Sequence, residues 1–277
     1  MDNFLYYFYL TCFLLVGLSV GSFINVVIYR LPLKTLHQQA DDDVGIISLS
    51  WPPSHCPQCN AMILKRDNVP LFSWIMLKGR CRFCQAPIPL IYPMTELIHG
   101  LWFFLGFIFL FTGNNLLSLL PVLVLFCTLY AITIIDIRHY IIPDPLNYFL
   151  LWSGMVFSVT GITAVSPLSA VMGVCVIWLV THALMFAYER IRKVDGLGGG
   201  DVKLFAAVMP WVGIENIHVL LLLSSCTGLA IIVLYKYLIK IDFNHQKNIE
   251  NTNCEYIPFG PAISFSVLYI FLRHCLG

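Results

Sequence analysis

Charge is what this sequence has least of. Only 11% of its 277 residues are Asp, Glu, Lys or Arg, and 58% are hydrophobic; an average soluble domain carries about 25% charged residues. With a mean hydropathy of +0.80, a soluble fold is excluded. The expectation is an all-α integral membrane protein with a lipid bilayer around it and no nucleic-acid partner. The start, Met1-Asp2-Asn3, lacks a basic n-region, and the apolar run from Phe4 to about Tyr29 is too long for a signal-peptide core. That run reads as a first transmembrane helix. Its Gly17 and Gly21 have the small-xxx-small spacing that lets helices approach closely, although such glycines also occur incidentally in membrane helices. No internal repeat is apparent.

A helix needs roughly 20 apolar residues to cross the hydrocarbon core. Eight runs qualify as candidate spans, at about 4–29, 96–112, 116–135, 146–165, 168–188, 201–213, 217–239 and 258–275. The sixth is short and contains Pro210, so a re-entrant segment is the alternative there. The organisation expected is a first helix at 1–30, a polar insert at 31–95, and a transmembrane domain at 96–277.

Basic residues orient these spans. The insert carries Arg30, Lys34, Lys65, Arg66, Lys78, Arg80 and Arg82, and later Lys and Arg residues fall at 138, 190–193, 203 and 236–247. Eight crossings put all of these on one side, leaving Arg273 alone on the other. The connections at 113–115, 161–167 and 214–216 contain no Lys or Arg. The insert is therefore expected to be cytoplasmic, as is the polar loop at 242–256.

This topology brings two acids to one depth. Asp136 closes the third span, and Asp201 opens the sixth behind Gly196, Gly198, Gly199 and Gly200. Two carboxylates in a partly dehydrated site cannot both ionise easily, so they share a proton. One can then take a proton from water while the other polarises a peptide carbonyl, which is aspartic-protease chemistry. Gly198 and Gly200 leave room for an extended substrate. Each acid also has an ordinary reading: Asp201 as a helix N-cap, Asp136 as the partner of Arg138 or Lys203. Asp144, in Ile142-Pro143-Asp144-Pro145, reads as a turn or cap residue. A transporter would place such acids near the bilayer midplane rather than at one interface.

In the insert, Cys56-x-x-Cys59 and Cys81-x-x-Cys84 have close to the spacing of a tetrahedral four-cysteine zinc site. Such a metal is structural, because four thiolates leave no open position. The acidic run Asp41–Asp43 reads as a solvated loop. Glu96 is an acid at a helix start, where N-terminal charge alone would explain it. Residues 31–95 lack any Gly-rich cofactor fingerprint.

An ordered set of motifs resembles the type IV prepilin leader peptidases along nearly the whole chain. It comprises Gly21-Ser-Phe-Ile-Asn-Val-Val-Ile-Tyr-Arg-Leu-Pro32, the paired knuckles with Asp67-Asn-Val-Pro70 between them, and Tyr92-Pro-Met-Thr-Glu96. Asp136 with Ile142-Pro-Asp144, Gly198-x-Gly200-Asp201 with Lys203, and Ile257-Pro-Phe-Gly-Pro261 follow in order. The resemblance implies a bifunctional bacterial inner-membrane enzyme. It would cleave the basic leader of type IV prepilins or type II secretion pseudopilins at the cytoplasmic face, then methylate the new N-terminus with S-adenosylmethionine. It also implies that Asp136 and Asp201 are the catalytic pair of a GxGD-type protease and that Cys56, Cys59, Cys81 and Cys84 hold zinc. Gly79 matches a glycine that the family links to methyl transfer, with Arg80 and Glu96 as further candidates, although Gly79 also reads as a plain turn glycine. Met209-Pro210 departs from the small pair expected before Trp211.

Overall fold

The structure is a computed structural model, and it describes residues 3–39, 48–51, 53–111, 116–192, 198–242 and 258–276. The run Asp41–Asp43, Gly196 and nearly all of the 242–256 loop lie outside them. Among the described residues the chain is helical, with only isolated β-bridges beside the helices. It divides into two compact units, Met1–Leu123 and Val124–Gly277.

The first unit is built on α1 (Asn3–Gln39) and α3 (Ile91–Leu110), with the short helix α2 (Phe72–Met76) in the insert between them. Apolar side chains surround α1, so only a close partner fixes its orientation, and glycines supply that closeness. A Cβ at Gly17 would lie 2.7 Å from the His99 carbonyl oxygen, and one at Gly21 would lie 2.7 Å from the Glu96 Cα. The spacing seen in the sequence is therefore a packing seam against α3, where bare backbone is the only fit. Asn25 fastens the same seam by donating to the Tyr92 carbonyl at 3.0 Å. Helix α3 starts five residues earlier than its apolar run, because Pro93 in the first turn has no N–H to lose there.

The second unit holds most of α4 (Leu120–His139), then α5 (Asp144–Val159), α6 (Pro167–Arg192), α7 (Gly199–Val212), α8 (Ile217–Asp242) and α9 (Gly260–Leu276). Helix α7 is the centre of this unit, packed by α5, α6 and α9. From Leu204 to Val212 every residue of α7 is buried. Trp211 has no exposed surface; its Nε1 donates to the Leu150 carbonyl at 2.9 Å, and its ring meets Phe157 and Phe271. Met209 fills a hollow over Gly173, where a Cβ would come within 2.9 Å of the methionine methyl. That explains how the larger residue is accommodated before the tryptophan.

Among the described residues, five helices are long and apolar enough to cross a membrane: Asn3–Thr35, Ile91–Leu110, Leu116–His139, Pro167–Ile191 and Ile214–Leu234. The other three expected spans are also helices, but α5, α7 and α9 have only 16, 14 and 17 residues. At 1.5 Å per residue α7 is about 21 Å long. From Leu204 to Val212 its neighbours surround it, so the short helix is enclosed by protein beyond its first turn.

Candidate active site and cysteine cluster

Asp136 lies in the last turns of α4 and is 5% exposed. A buried carboxylate needs hydrogen-bond partners. Its Oδ2 accepts the backbone N–H of Gly260, the first residue of α9, at 2.8 Å. A Cβ at position 260 would stand 2.7 Å from that same oxygen, so no side chain fits there. Asp201 lies in the first turn of α7, behind the N-cap Gly198. The Asp136 carboxylate is near enough for its charge to act on that of Asp201. The structure thus brings together the two acids that span-counting put at one depth.

The neighbouring residues divide differently from expectation. Gly198 is the N-cap in place of Asp201, and a Cβ on it would sit 3.1 Å from Asp201 Oδ2. Gly200 lies against Ile142 in the α4–α5 connection. Lys203 does not pair with Asp136; its Nζ bridges both oxygens of Asp144, at 2.7 and 2.9 Å. Asp144, in the first turn of α5, therefore has an ion-pair role that its turn setting did not suggest.

In the first unit, the sulfurs of Cys56, Cys59, Cys81 and Cys84 all lie within 4.8 Å of one another, with 3.8 Å between Cys56 and Cys84. Four Zn–S bonds of ~2.3 Å at tetrahedral angles set sulfurs about 3.8 Å apart, so the cluster fits that ion. The backbone N–H groups of Cys59 and Gln58 point at the Cys56 sulfur and pull its pKa down to about 6. The N–H groups of Cys84 and Phe83 likewise lower that of Cys81. Both effects favour the thiolate that a metal needs.

The two knuckles are copies of one design, and the absence of a repeat expected from the sequence is corrected here. Cys56 N–H bonds the Ala61 carbonyl and Cys81 N–H the Ala86 carbonyl. Asn60 and Gln85 both take positive φ, at 56° and 60°. The bridges His55–Met62 and Arg80–Pro87 close the two loops equivalently. The signal was present as Cys56-Pro-Gln-Cys-Asn-Ala-Met-Ile63 against Cys81-Arg-Phe-Cys-Gln-Ala-Pro-Ile88. Asp67 and Arg82 add a two-pronged ion pair at 2.6 and 2.7 Å.

The three methyl-transfer candidates have visible structural environments. Gly79 has φ +67°, and a Cβ there would meet the Trp74 ring at 2.8 Å. Arg80 is exposed, and its backbone closes the second knuckle. Glu96 Oε2 accepts the Leu71 backbone N–H at 2.7 Å, and its carboxylate also bonds the Ser22 hydroxyl.

Comparison with known proteins now adds an independent line. A model of the bacterial peptidase A24 N-terminal domain matches residues 15–110, and one of the type IV leader peptidase family matches residues 123–233. The chain belongs to the type IV leader peptidase family. It is 35% identical to a prepilin leader peptidase/N-methyltransferase of Dickeya chrysanthemi, over 97% of this chain and 94% of that protein. It is 37% identical to a protein of the same name from Pectobacterium carotovorum subsp. carotovorum, covering 82% and 83%. It is also 36% identical to an Escherichia coli type 4 prepilin-like proteins leader peptide-processing enzyme, covering 90% and 88%. No solved structure matches the chain. Membership makes the protein an enzyme, a peptidase joined to an N-methyltransferase, and its apolar helices make it a multi-pass membrane protein.

Proposed function

We propose that this protein cleaves the basic leader from type IV prepilins or type II secretion pseudopilins, using Asp136 and Asp201, and then N-methylates the new N-terminus. The proposal is carried by the placement of two acids: Asp136, buried at the end of α4 and held by the Gly260 N–H, and Asp201 in the first turn of α7 behind Gly198, near enough for one charge to act on the other. Like charges so placed hold one proton between them. The ionised member removes a proton from water, and the resulting hydroxide adds to the scissile carbonyl carbon. The protonated member donates to the carbonyl oxygen. Collapse of the tetrahedral intermediate breaks the C–N bond, and a carboxyl proton passes to the leaving amine. Gly198 and Gly200 border Asp201 without side chains, which suits an extended peptide beside it.

Eight inner-membrane crossings would use the five helices long and apolar enough to cross together with the shorter α5, α7 and α9, and the distribution of Lys and Arg favours a cytoplasmic site and insert. Zinc on Cys56, Cys59, Cys81 and Cys84 would staple an insert too small to hold itself. In this reading the organisation is 1–30 as the first span, 31–95 as the zinc-binding insert and 96–277 as the peptidase domain. S-adenosylmethionine supplies the methyl group, and Gly79 and Arg80 in the insert, with Glu96 in α3 just beyond it, are the residues assigned to that step. That two of the relatives are N-methyltransferases by name supports the methyl transfer. The test is mass spectrometry of a prepilin incubated with the purified enzyme and S-adenosylmethionine. The expected product lacks the leader and is one methyl heavier at its new N-terminus. An intact leader would refute the peptidase reading, and a cleaved but unmethylated product would refute the second step.

A further inference from the structure

Helix α2 is amphipathic the wrong way round for a protein surface in water. Its inward face carries Ser73, 7% exposed, together with Trp74, whose ring covers Gly79 and whose Nε1 donates to the Ile88 carbonyl at 3.3 Å. Its outward face carries Phe72, Ile75 and Met76 at 60%, 65% and 66% exposure. Positions i, i+3 and i+4 lie together on one side of a helix, so these three form a single apolar patch. A contiguous patch of large apolar side chains marks a surface that something else covers.

Two observations identify the cover as the bilayer. The first is height. Leu71, the residue that opens α2, has its N–H held at 2.7 Å by Glu96, which sits within the first two turns of α3. Helix α3 is one of the helices able to cross the membrane. The patch is therefore tied beside the point where α3 enters the membrane. Leu90, immediately before α3, adds another apolar side chain, 63% exposed.

The second observation is charge. Lys65, Arg66, Lys78 and Arg80 all lie exposed on the segments flanking α2. From Ser48 to Thr95 the only acid is Asp67, and Arg82 neutralises it through two hydrogen bonds. An apolar patch whose flanking segments carry exposed cations in excess of acids matches a leaflet of acyl chains beneath anionic headgroups. We propose that the Phe72–Ile75–Met76 face of α2 is a membrane-interface anchor that seats the cysteine-knuckle insert on anionic lipid where α3 enters the bilayer.

Photo-crosslinking of the full-length protein in lipid nanodiscs tests this. A p-benzoylphenylalanine at position 72 is close in shape to the native Phe72, and position 76 provides a second site should the first disturb folding. In discs containing phosphatidylglycerol, illumination is expected to give lipid adducts, identified by mass spectrometry. Their yield should fall several-fold in purely phosphatidylcholine discs, and likewise in the Lys65→Gln/Arg66→Gln/Lys78→Gln variant. Adducts to a second copy of the chain, or to added prepilin in place of lipid, would overturn the proposal. Equal lipid yields in both disc types would also overturn it, because the cationic rim would then have no role. None of these readouts depends on cleavage or methyl transfer, so the result stands apart from the catalytic assignment.

Discussion

The backbone N–H of Gly260 reaches Asp136 Oδ2 at 2.8 Å across 124 residues of sequence, and no side chain fits between them. That contact joins the start of α9 to the end of α4 and fixes the orientation of one carboxylate of the proposed pair. Gly260→Ala would push a methyl group against the oxygen and displace it. A misplacement on the order of 1 Å costs about a hundredfold in rate. The expected result is a kcat about a hundredfold lower with KM little changed, measured on a prepilin peptide. An unchanged kcat would remove Gly260 from the site.

The Lys203–Asp144 pair joins α7 to α5 two residues beyond Asp201, but its side chains are 50% and 45% exposed. Exposed pairs contribute roughly 0–1 kcal/mol. A double-mutant cycle of Lys203→Met and Asp144→Asn should therefore give a coupling below about 1 kcal/mol in thermal unfolding. That coupling should shrink further in high salt.

The cysteine cluster predicts one zinc per chain. Cys56→Ser/Cys81→Ser removes one ligand from each knuckle, and elemental analysis should show zinc falling to near zero. Hydrogen exchange across residues 55–88 should rise at the same time, because a metal held by all four sulfurs would tie the two loops together. Undiminished zinc would place the ion elsewhere.

A substitution at Gly79 is expected to separate the two activities. Gly79→Ser puts a side chain against the Trp74 ring and at φ +67°, a conformation that costs a non-glycine residue about 1–3 kcal/mol. The insert should be perturbed while α4 and α7 keep their own packing. Methyl transfer is therefore expected to fall much further than leader cleavage, read on the same product by mass spectrometry. Equal losses would show that the insert serves both steps alike.

Much of this was legible in the sequence, because hydrophobic length and charge placement act locally. All eight apolar runs became helices, and counting them placed Asp136 and Asp201 at one depth. The cysteine spacing likewise foretold the cluster. What escaped was contact by backbone. Gly260 carries no side chain to advertise its bond to Asp136, although it lay within the quoted Ile257–Pro261 motif. The pairing of Lys203 with Asp144 depends on how α5 and α7 lie side by side, which periodicity does not encode. The knuckle repeat was readable, but only two cysteines, an alanine and an isoleucine recur identically in each copy. The inverted face of α2 is too short to register as a pattern at all.

The central claim is that Asp136 and Asp201 together perform peptide cleavage. The direct measurement is single-turnover cleavage of a leader-bearing prepilin by Asp136→Asn and Asp201→Asn enzymes in membranes, with insertion checked by protease mapping. Each substitution keeps the side-chain size and removes the carboxylate. The account predicts that both lose about four orders of magnitude in rate or more while remaining inserted. Normal cleavage by either variant would contradict it.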